Sequence, residues 1–331
     1  MNFSTIIGID VSKLTLDLHV LPTNHDYQTK NDEKGFKEIV KWLAKVGQID
    51  LSATLFSFEN TGFYSYKLSL WLQDKGYRFV MLSGLELKRS LGISRGKSDE
   101  IDARKIAEYT FLRRDSITQT ILPEQGIIRM KRLLSLRNKL IRQRSGFMAT
   151  LREAKRAFSR KEDPLYYKIQ EDLLKKLSIQ IERIEKELHQ IIENNSTLKE
   201  QYHLILSIKG AGPIAAFTFI AITHGFQKFQ TWRKFACYAG IAPFPYRSGT
   251  SIIGRNKVSH LANKKIKSLL SNMAVSAVQH NTELKLYYNR RLDDGKNKSS
   301  TLNIIKNKLV ARIFAVIERG TPYVNTAKFA A

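Results

Sequence analysis

Thr5-Ile6-Ile7-Gly8-Ile9-Asp10-Val11, continuing into Ser12-Lys13, is an apolar, largely β-branched run that carries a single acid. β-branched residues favour extended chain, so the run reads as a buried strand. An Asp inside it is costly to bury as a charge, and a bound cation is one way to offset that cost. Outward from this strand, Leu14–Leu21 and Asp26–Lys30 read as two more strands joined by tight turns. An amphipathic helix follows over Glu33–Val46, with Phe36, Ile39, Val40, Trp42 and Leu43 on its apolar side. Ala53–Phe58 reads as a buried strand, Tyr64–Lys75 as a helix and Arg78–Leu82 as a further strand. A meander followed by strand–helix–strand predicts an α/β domain with a mixed sheet, over residues 1–125.

The 331 residues are enough for two ordinary domains, and the hydrophobic fraction of 43% supports a normal core. Lys and Arg number 55 against 30 Asp and Glu, a formal charge of +25. A protein so charged repels itself unless a polyanion compensates it; nucleic acid is the commonest, and an anionic membrane surface is the rival. The longest apolar run, Pro213 to Ile222, is too short to span a bilayer and contains Thr218, so no membrane partner is expected. The first residues lack the pattern of a signal peptide. Cys237 is the only cysteine, which excludes an internal disulfide and fits a reducing, cytoplasmic setting. Between Ala236 and Tyr238 it reads as a small buried hydrophobe. The seven histidines show no ligand spacing, and no phosphate-binding P-loop or dinucleotide fingerprint is present, so neither ATP nor NAD is implied.

Residues 126–200 change character. Residues 126–161 are helical by propensity and hold twelve Lys/Arg against one acid, Glu153, which suits a face turned to phosphate. Asp163-Pro164 marks a break. Leu174, Leu177, Ile181, Ile184, Leu188 and Ile191 then form a short heptad seam, which fits a coiled-coil dimer contact or a helical hairpin within one chain. Residues 201–331 form a third, mostly helical unit, with a loop around Ala239–Arg255 and helices over Asn263–Val278 and Leu302–Arg319. Residues 255–312 hold thirteen Lys/Arg against three acids.

Three constellations carry chemistry. Asp10, Glu59 at the end of the strand Leu55–Phe58, and Asp99 with Asp102 at a helix start are four carboxylates suited to two hard divalent ions. Each alone also reads as a capping or exposed acid; together with the strand order they favour an RNase H-like nuclease core. Gly210-Ala211-Gly212-Pro213 between two apolar helices offers backbone N–H groups to a phosphate, as a helix–hairpin–helix does, or is a plain turn. Arg247-Ser248-Gly249 lies in a loop where a Ser-Gly pair is ordinarily a turn. Arg247, Arg255 and Lys257 give Ser248 the surroundings of a nucleophile acting on a phosphate. Lys97, Arg137, Arg144, Lys264 and Lys265 complete the candidate nucleic-acid contacts.

These blocks resemble one family. Gly-Ile-Asp-Val-Ser-Lys at 8–13, Glu-Asn-Thr-Gly-Phe-Tyr at 59–64 and Lys-Ser-Asp-Glu-Ile-Asp-Ala at 97–103 look like the three acidic blocks of the DEDD transposases. These are insertion-sequence recombinases with a RuvC-like domain, related to pilin-gene DNA invertases. Gly-Ala-Gly-Pro at 210–213 and Ala-Gly-Ile-Ala-Pro at 239–243, followed by Ser248-Gly249, look like that family's second domain. The resemblance implies that Asp10, Glu59, Asp99 and Asp102 ligate Mg²⁺ or Mn²⁺. It implies that Ser248, rather than nearby Ser251, attaches transiently to a DNA phosphate. It further implies a structured bridge RNA pairing with donor and target DNA, and a homo-oligomer, dimer or tetramer, that brings acids and serine together from different subunits. One stretch departs from the family. Ser259-His260-Leu261-Ala262-Asn263-Lys264-Lys265 has Ala262 where a glycine is usual and lysines where arginines are usual, which keeps the charge.

Two other readings remain at this point. A structure-specific endonuclease such as a junction resolvase would use only the acids and leave no covalent adduct. A non-catalytic nucleic-acid-binding protein would be indifferent to loss of Asp10.

Overall fold

The two sides of strand β1 (Thr5–Val11) meet two different layers, and this sets the position of Asp10. The computed structural model describes residues 3–47, 49–90, 98–248 and 252–324, apart from the side chains of 248, 252, 253 and 255. The chain divides into two compact units, Met1–Leu122 and Pro123–Ala331. In the first, β1 is joined by β2 (Thr15–Leu21), β3 (His25–Lys30), β4 (Thr54–Glu59) and β5 (Arg78–Leu82) in a sheet of order β3-β2-β1-β4-β5. The β1–β2 and β2–β3 pairs are antiparallel; β1–β4 and β4–β5 are parallel. This is the mixed sheet that the meander and strand–helix–strand pattern predict.

Successive residues of a strand point to opposite faces. Ile7, Ile9 and Val11 therefore share one face, buried with Phe36, Ile39 and Leu43 of helix α1 (Glu33–Val46) and Leu68 and Leu72 of α2 (Phe63–Asp74). Asp32 caps α1 by accepting a 2.9 Å hydrogen bond from the Gly35 amide. Ile6, on the other face, clusters with Leu87 of α3 (Gly84–Ser90) and Ile106 and Tyr109 of α4 (Asp99–Leu112). Gly8 lies on this second face because α4 crosses directly over it. A Cβ there would stand 2.2 Å from the Ala103 carbonyl oxygen and 2.5 Å from the Ala107 amide nitrogen. Gly8→Ala is expected to lift α4 from β1 at a cost of about 1–3 kcal/mol. Urea denaturation of the full chain checks this, and an unchanged midpoint would mean that α4 does not depend on the close approach.

The second unit begins with a helical hairpin, α5 (Gln125–Ala157) and α6 (Pro164–Glu193). Asp163 caps α6 and Pro164 occupies its first turn, where no amide donor is needed. The ion pairs Arg129–Glu187 at 2.7 Å, Arg137–Glu185 at 2.6 Å and Arg160–Glu171 at 2.8 Å pair rising with falling numbers, so the helices are antiparallel. The seam residues Ile184, Leu188 and Ile191 are buried in a cluster with Ile127, Met130 and Leu134 of α5, and Ile181 is buried as well. This covers the heptad seam within one chain, as a hairpin does.

Helices α7 (Ser196–Leu206), α8 (Pro213–Thr223), α9 (Trp232–Tyr238), α10 (Lys264–His280), α11 (Thr282–Asp293) and α12 (Lys298–Arg319) complete the unit. α8 lies at its centre, with Ala215, Ala216, Phe217, Phe219, Ile220 and Ala221 all buried. Two expectations need correction. The loop expected around Ala239–Arg255 contains an antiparallel hairpin, β6 (Pro243–Ser248) and β7 (Ile252–Val258), whose register shifts between Phe244 and Tyr246. Pro243 and Pro245 lack amide donors and hide the strand from propensity. Cys237 is exposed, not buried: α9 turns Phe235, Ala236 and, just beyond it, Ala239 inward, which leaves Cys237 on the opposite side. Among the described residues, no helix is long and apolar enough to cross a membrane.

Candidate active site

Asp10 is next to last in β1 and shares the face of Gly8, so it lies under α4. Glu59 ends β4, the parallel neighbour of β1. The last paired residues are Ile9 and Phe58, which sets Asp10 and Glu59 one step further on at adjoining strand ends. The Glu59 carboxylate lies over Gly84, where a Cβ would meet its Oε1 at 2.0 Å. Asp99 and Asp102 occupy the first turn of α4, which starts at Ser98; the Ser98 hydroxyl accepts from the Ile101 amide at 3.3 Å. Asp102 accepts a 3.3 Å contact from Lys105. α4 is tied to the sheet a second way, by Arg104 reaching Asp26 at 3.5 Å.

Burial holds the Asp10 carboxyl up at about pH 6, and the negative charges of Asp99, Asp102, Asp17 and Glu59 add to the effect. The other three acids singled out from sequence thus each act on Asp10 through space. Asp17 was missed. It stands directly opposite Asp10 in the β1–β2 pairing and is 2% exposed. It accepts a 2.7 Å bond from Gln28 on one oxygen, and the other is buried without a partner among the described residues. Burial raises its pKa as well, with Asp99 adding to the rise. In the sequence it stands between Leu16 and Leu18 in a strand that also carries Thr15 and His19, with nothing to pair it with Asp10. His19, opposite Gly8, is 1% exposed and bonds Asp26 at 2.6 Å.

In the second unit, Ser248 ends β6 opposite Ile252. Arg247 and Lys257 are exposed on the two strands, and Arg255 lies on β7. Lys97 and Ser251 fall outside the described residues. Lys264 and Lys265 are exposed in the first turn of α10. Gly210 adopts a positive φ of 102° and presses its backbone on α10, where a Cβ would stand 2.7 Å from that of Ala277. Gly212 is exposed at the start of α8 with open space around it. Arg137 is 14% exposed and holds Glu185 through two nitrogens, and Arg144 donates to Ser178 at 3.3 Å. Both thus bind α6, Arg137 through an acid and Arg144 through a hydroxyl, partners that a reading of α5 alone leaves out.

Residues 7–155 match the sequence pattern of an IS110 DEDD transposase family, and residues 202–289 match that of the transposase IS116/IS110/IS902 family. The chain is 27% identical to a pilin gene-inverting protein of Moraxella bovis and 26% to that of Moraxella lacunata. Each match runs over 327 residues, covering 96% of this chain and 97% of the relative. The chain belongs to the IS110-type DEDD transposases. A Streptomyces coelicolor protein described as an insertion element IS110 uncharacterized 43.6 kDa protein is 27% identical over 120 residues, 36% of this chain and 29% of that one.

Among the described residues of the transposase, no group of three or more His, Cys, Asp or Glu side chains is assembled closely enough to hold a metal ion. The donor set itself suits one. It is made of carboxylates, the ligands of hard divalent cations, and Asp10 already bears the repulsion that a cation relieves. The departure at Ala262 is accommodated by Gly240, which has a φ of 67°; a Cβ at Gly240 would lie 2.1 Å from that of Ala262.

Proposed function

We propose that this transposase cuts and exchanges DNA strands with Asp10, Glu59, Asp99 and Asp102 as ligands of a divalent ion, Mg²⁺ or Mn²⁺, and Ser248 as the nucleophile. The observation that carries it is the electrostatic coupling of Asp10 to Asp99, Asp102 and Glu59 at the ends of two parallel strands. The strand order β3-β2-β1-β4-β5 supports an RNase H-like reading of the first unit. Asp17 would add a fifth carboxylate behind Asp10. A divalent ion held there supplies positive charge to the phosphate oxygens during transfer.

In the serine step, the Ser248 hydroxyl gives up its proton and its oxygen bonds phosphorus. The bond from phosphorus to the neighbouring sugar oxygen breaks, and that oxygen leaves with a proton as a free hydroxyl. The reverse attack by a hydroxyl of another strand releases Ser248 and joins the strands. Arg247 and Lys257 would hold the phosphate, with Arg255 beside them. The two full-length Moraxella relatives, named for inverting a gene, support recombination over simple cutting.

The same reading includes a structured guide RNA that chooses donor and target by base pairing, and an oligomer that joins acids and serine from different copies. Purified protein should recombine a donor and a target plasmid only when RNA transcribed from the DNA flanking its gene is added. Equal recombination without that RNA would remove the guide from the account and leave the strand chemistry standing.

A further inference from the structure

Lys131 of α5 turns its ammonium to an imidazole rather than to an acid. Its Nζ lies 2.5 Å from Nε2 of His224, the left-handed residue that ends α8. Lys228, in the turn after α8, repels both. The α6 acids that face α5, Glu185 and Glu187, are bound to Arg137 and Arg129. Lys131 opens on a cleft of about 780 Å³ between α5, α8 and α10. Arg142 lies on one wall; Lys264 and Lys265 lie on the other, in the first turn of α10. No acid is among the described residues that line it. The positive end of the α10 dipole points the same way. The floor is apolar, formed by Ile141, Ile214, Ile222 and Leu269, and the amides of Asn138 and Asn272 project beside it.

We propose that this cleft holds a single-stranded stretch of nucleic acid, with phosphates on Lys131, Arg142, Lys264 and Lys265 and a base against the apolar floor. The proposal rests on the chain acting on nucleic acid and adds where an unpaired strand is held. A cleft of this volume is in the range of small-ligand sites and admits nucleotides one at a time, not a double helix. Its cations match a phosphodiester backbone, and asparagine amides can pair with base edges. A phosphate also supplies the counter-charge that Lys131 lacks. Burial, with Lys228 second, holds Lys131 down to about 8. Burial, then Lys131 and Lys228, holds His224 down to about 4. The other charges facing Lys131 are Arg137 and Arg142 on its own helix and Lys264 and Lys265 on α10. All are cationic, and among the described residues Arg137 is the one of them paired with an acid. Strand binding therefore favours charged Lys131 and weakens as pH rises through about 8.

The test is fluorescence anisotropy with the full-length protein and three probes: oligothymidine and oligouridine of about ten nucleotides, and a DNA hairpin duplex. Lys264→Ala/Lys265→Ala changes two exposed side chains and should leave the fold intact. It is expected to weaken single-strand binding about tenfold and to reduce the salt slope by about 0.7 per lost contact, with the duplex little changed. Between pH 7 and 9 the wild type should lose roughly tenfold in single-strand affinity, whereas Lys131→Arg, always charged, should lose almost none. A larger loss for oligouridine assigns the cleft to a guide RNA; a larger loss for oligothymidine assigns it to displaced DNA. Single-strand affinity and salt slope unchanged in the double variant would overturn the proposal. So would a duplex that weakens as much as the single strands. A flat wild-type pH profile would remove Lys131 from the site. These binding readouts do not involve Asp10 or Ser248, so they fail or hold independently of the strand-transfer reading.

Discussion

Asp10→Asn is expected to lower strand cleavage and exchange by at least about a hundredfold while DNA binding persists, since losing a ligand should exceed the 10–100-fold cost of losing an outer-shell partner. The same variant should make the metal-free protein more stable at neutral pH. Asp10 has a folded pKa of about 6 against an ordinary carboxyl value of 3.8. The folded state therefore binds the proton more tightly than the unfolded state. The stability this contributes is complete below about pH 4 and is lost as pH rises through about 6. Above that, a charged Asp10 faces four other carboxylates, and the neutral amide escapes them. A gain of about 1 kcal/mol in EDTA at pH 7.5, vanishing near pH 4, is the expected result, in the range of other stabilising changes made at functional sites. Thermal denaturation of both proteins across that pH range checks it. A variant less stable than wild type at pH 7.5 would mean that Asp10 is a structural acid, as a non-catalytic binding protein requires.

Ser248→Ala is expected to abolish recombination, by several orders of magnitude as for other nucleophiles removed from a concerted set, while leaving DNA and RNA affinity within about twofold. Two different failures have different meanings. Full recombination by the variant removes Ser248 from the chemistry and turns attention to Ser251. Loss of recombination with cleavage retained, which Asp10→Asn then abolishes, makes the enzyme a nuclease that depends on its acids alone. The comparison is informative because Ser248 ends a hairpin strand in the second unit and the acids lie in the first.

Much of the first unit was legible because strand period and burial agree there. Glu33–Val46 and Arg78–Leu82 match the observed bounds residue for residue. Three of the four acids adjoin a readable boundary, at a strand end or in a capped helix start. Asp17 was not legible, because nothing in a single sequence pairs it with Asp10; the β1–β2 register does that. The hairpin β6–β7 was hidden by Pro243 and Pro245. Part of the charge of α5 is met within the chain in a way a single helix does not disclose: Arg129 and Arg137 pair with Glu187 and Glu185 of α6, and Arg144 reaches Ser178, only through antiparallel packing. Lys131 carried no signal at all. Its neighbour His224 is ninety-three positions away in the chain, and only the helical core brings them together.

The decisive measurement is mass spectrometry of the protein after reaction with nicked element-end DNA that traps any covalent intermediate. The account predicts a phosphodiester-linked nucleotide on the peptide containing Ser248, formed with Mg²⁺ or Mn²⁺ and absent from Asp10→Asn. DNA cleaved to free hydroxyl and phosphate ends, with unmodified protein throughout, would contradict it.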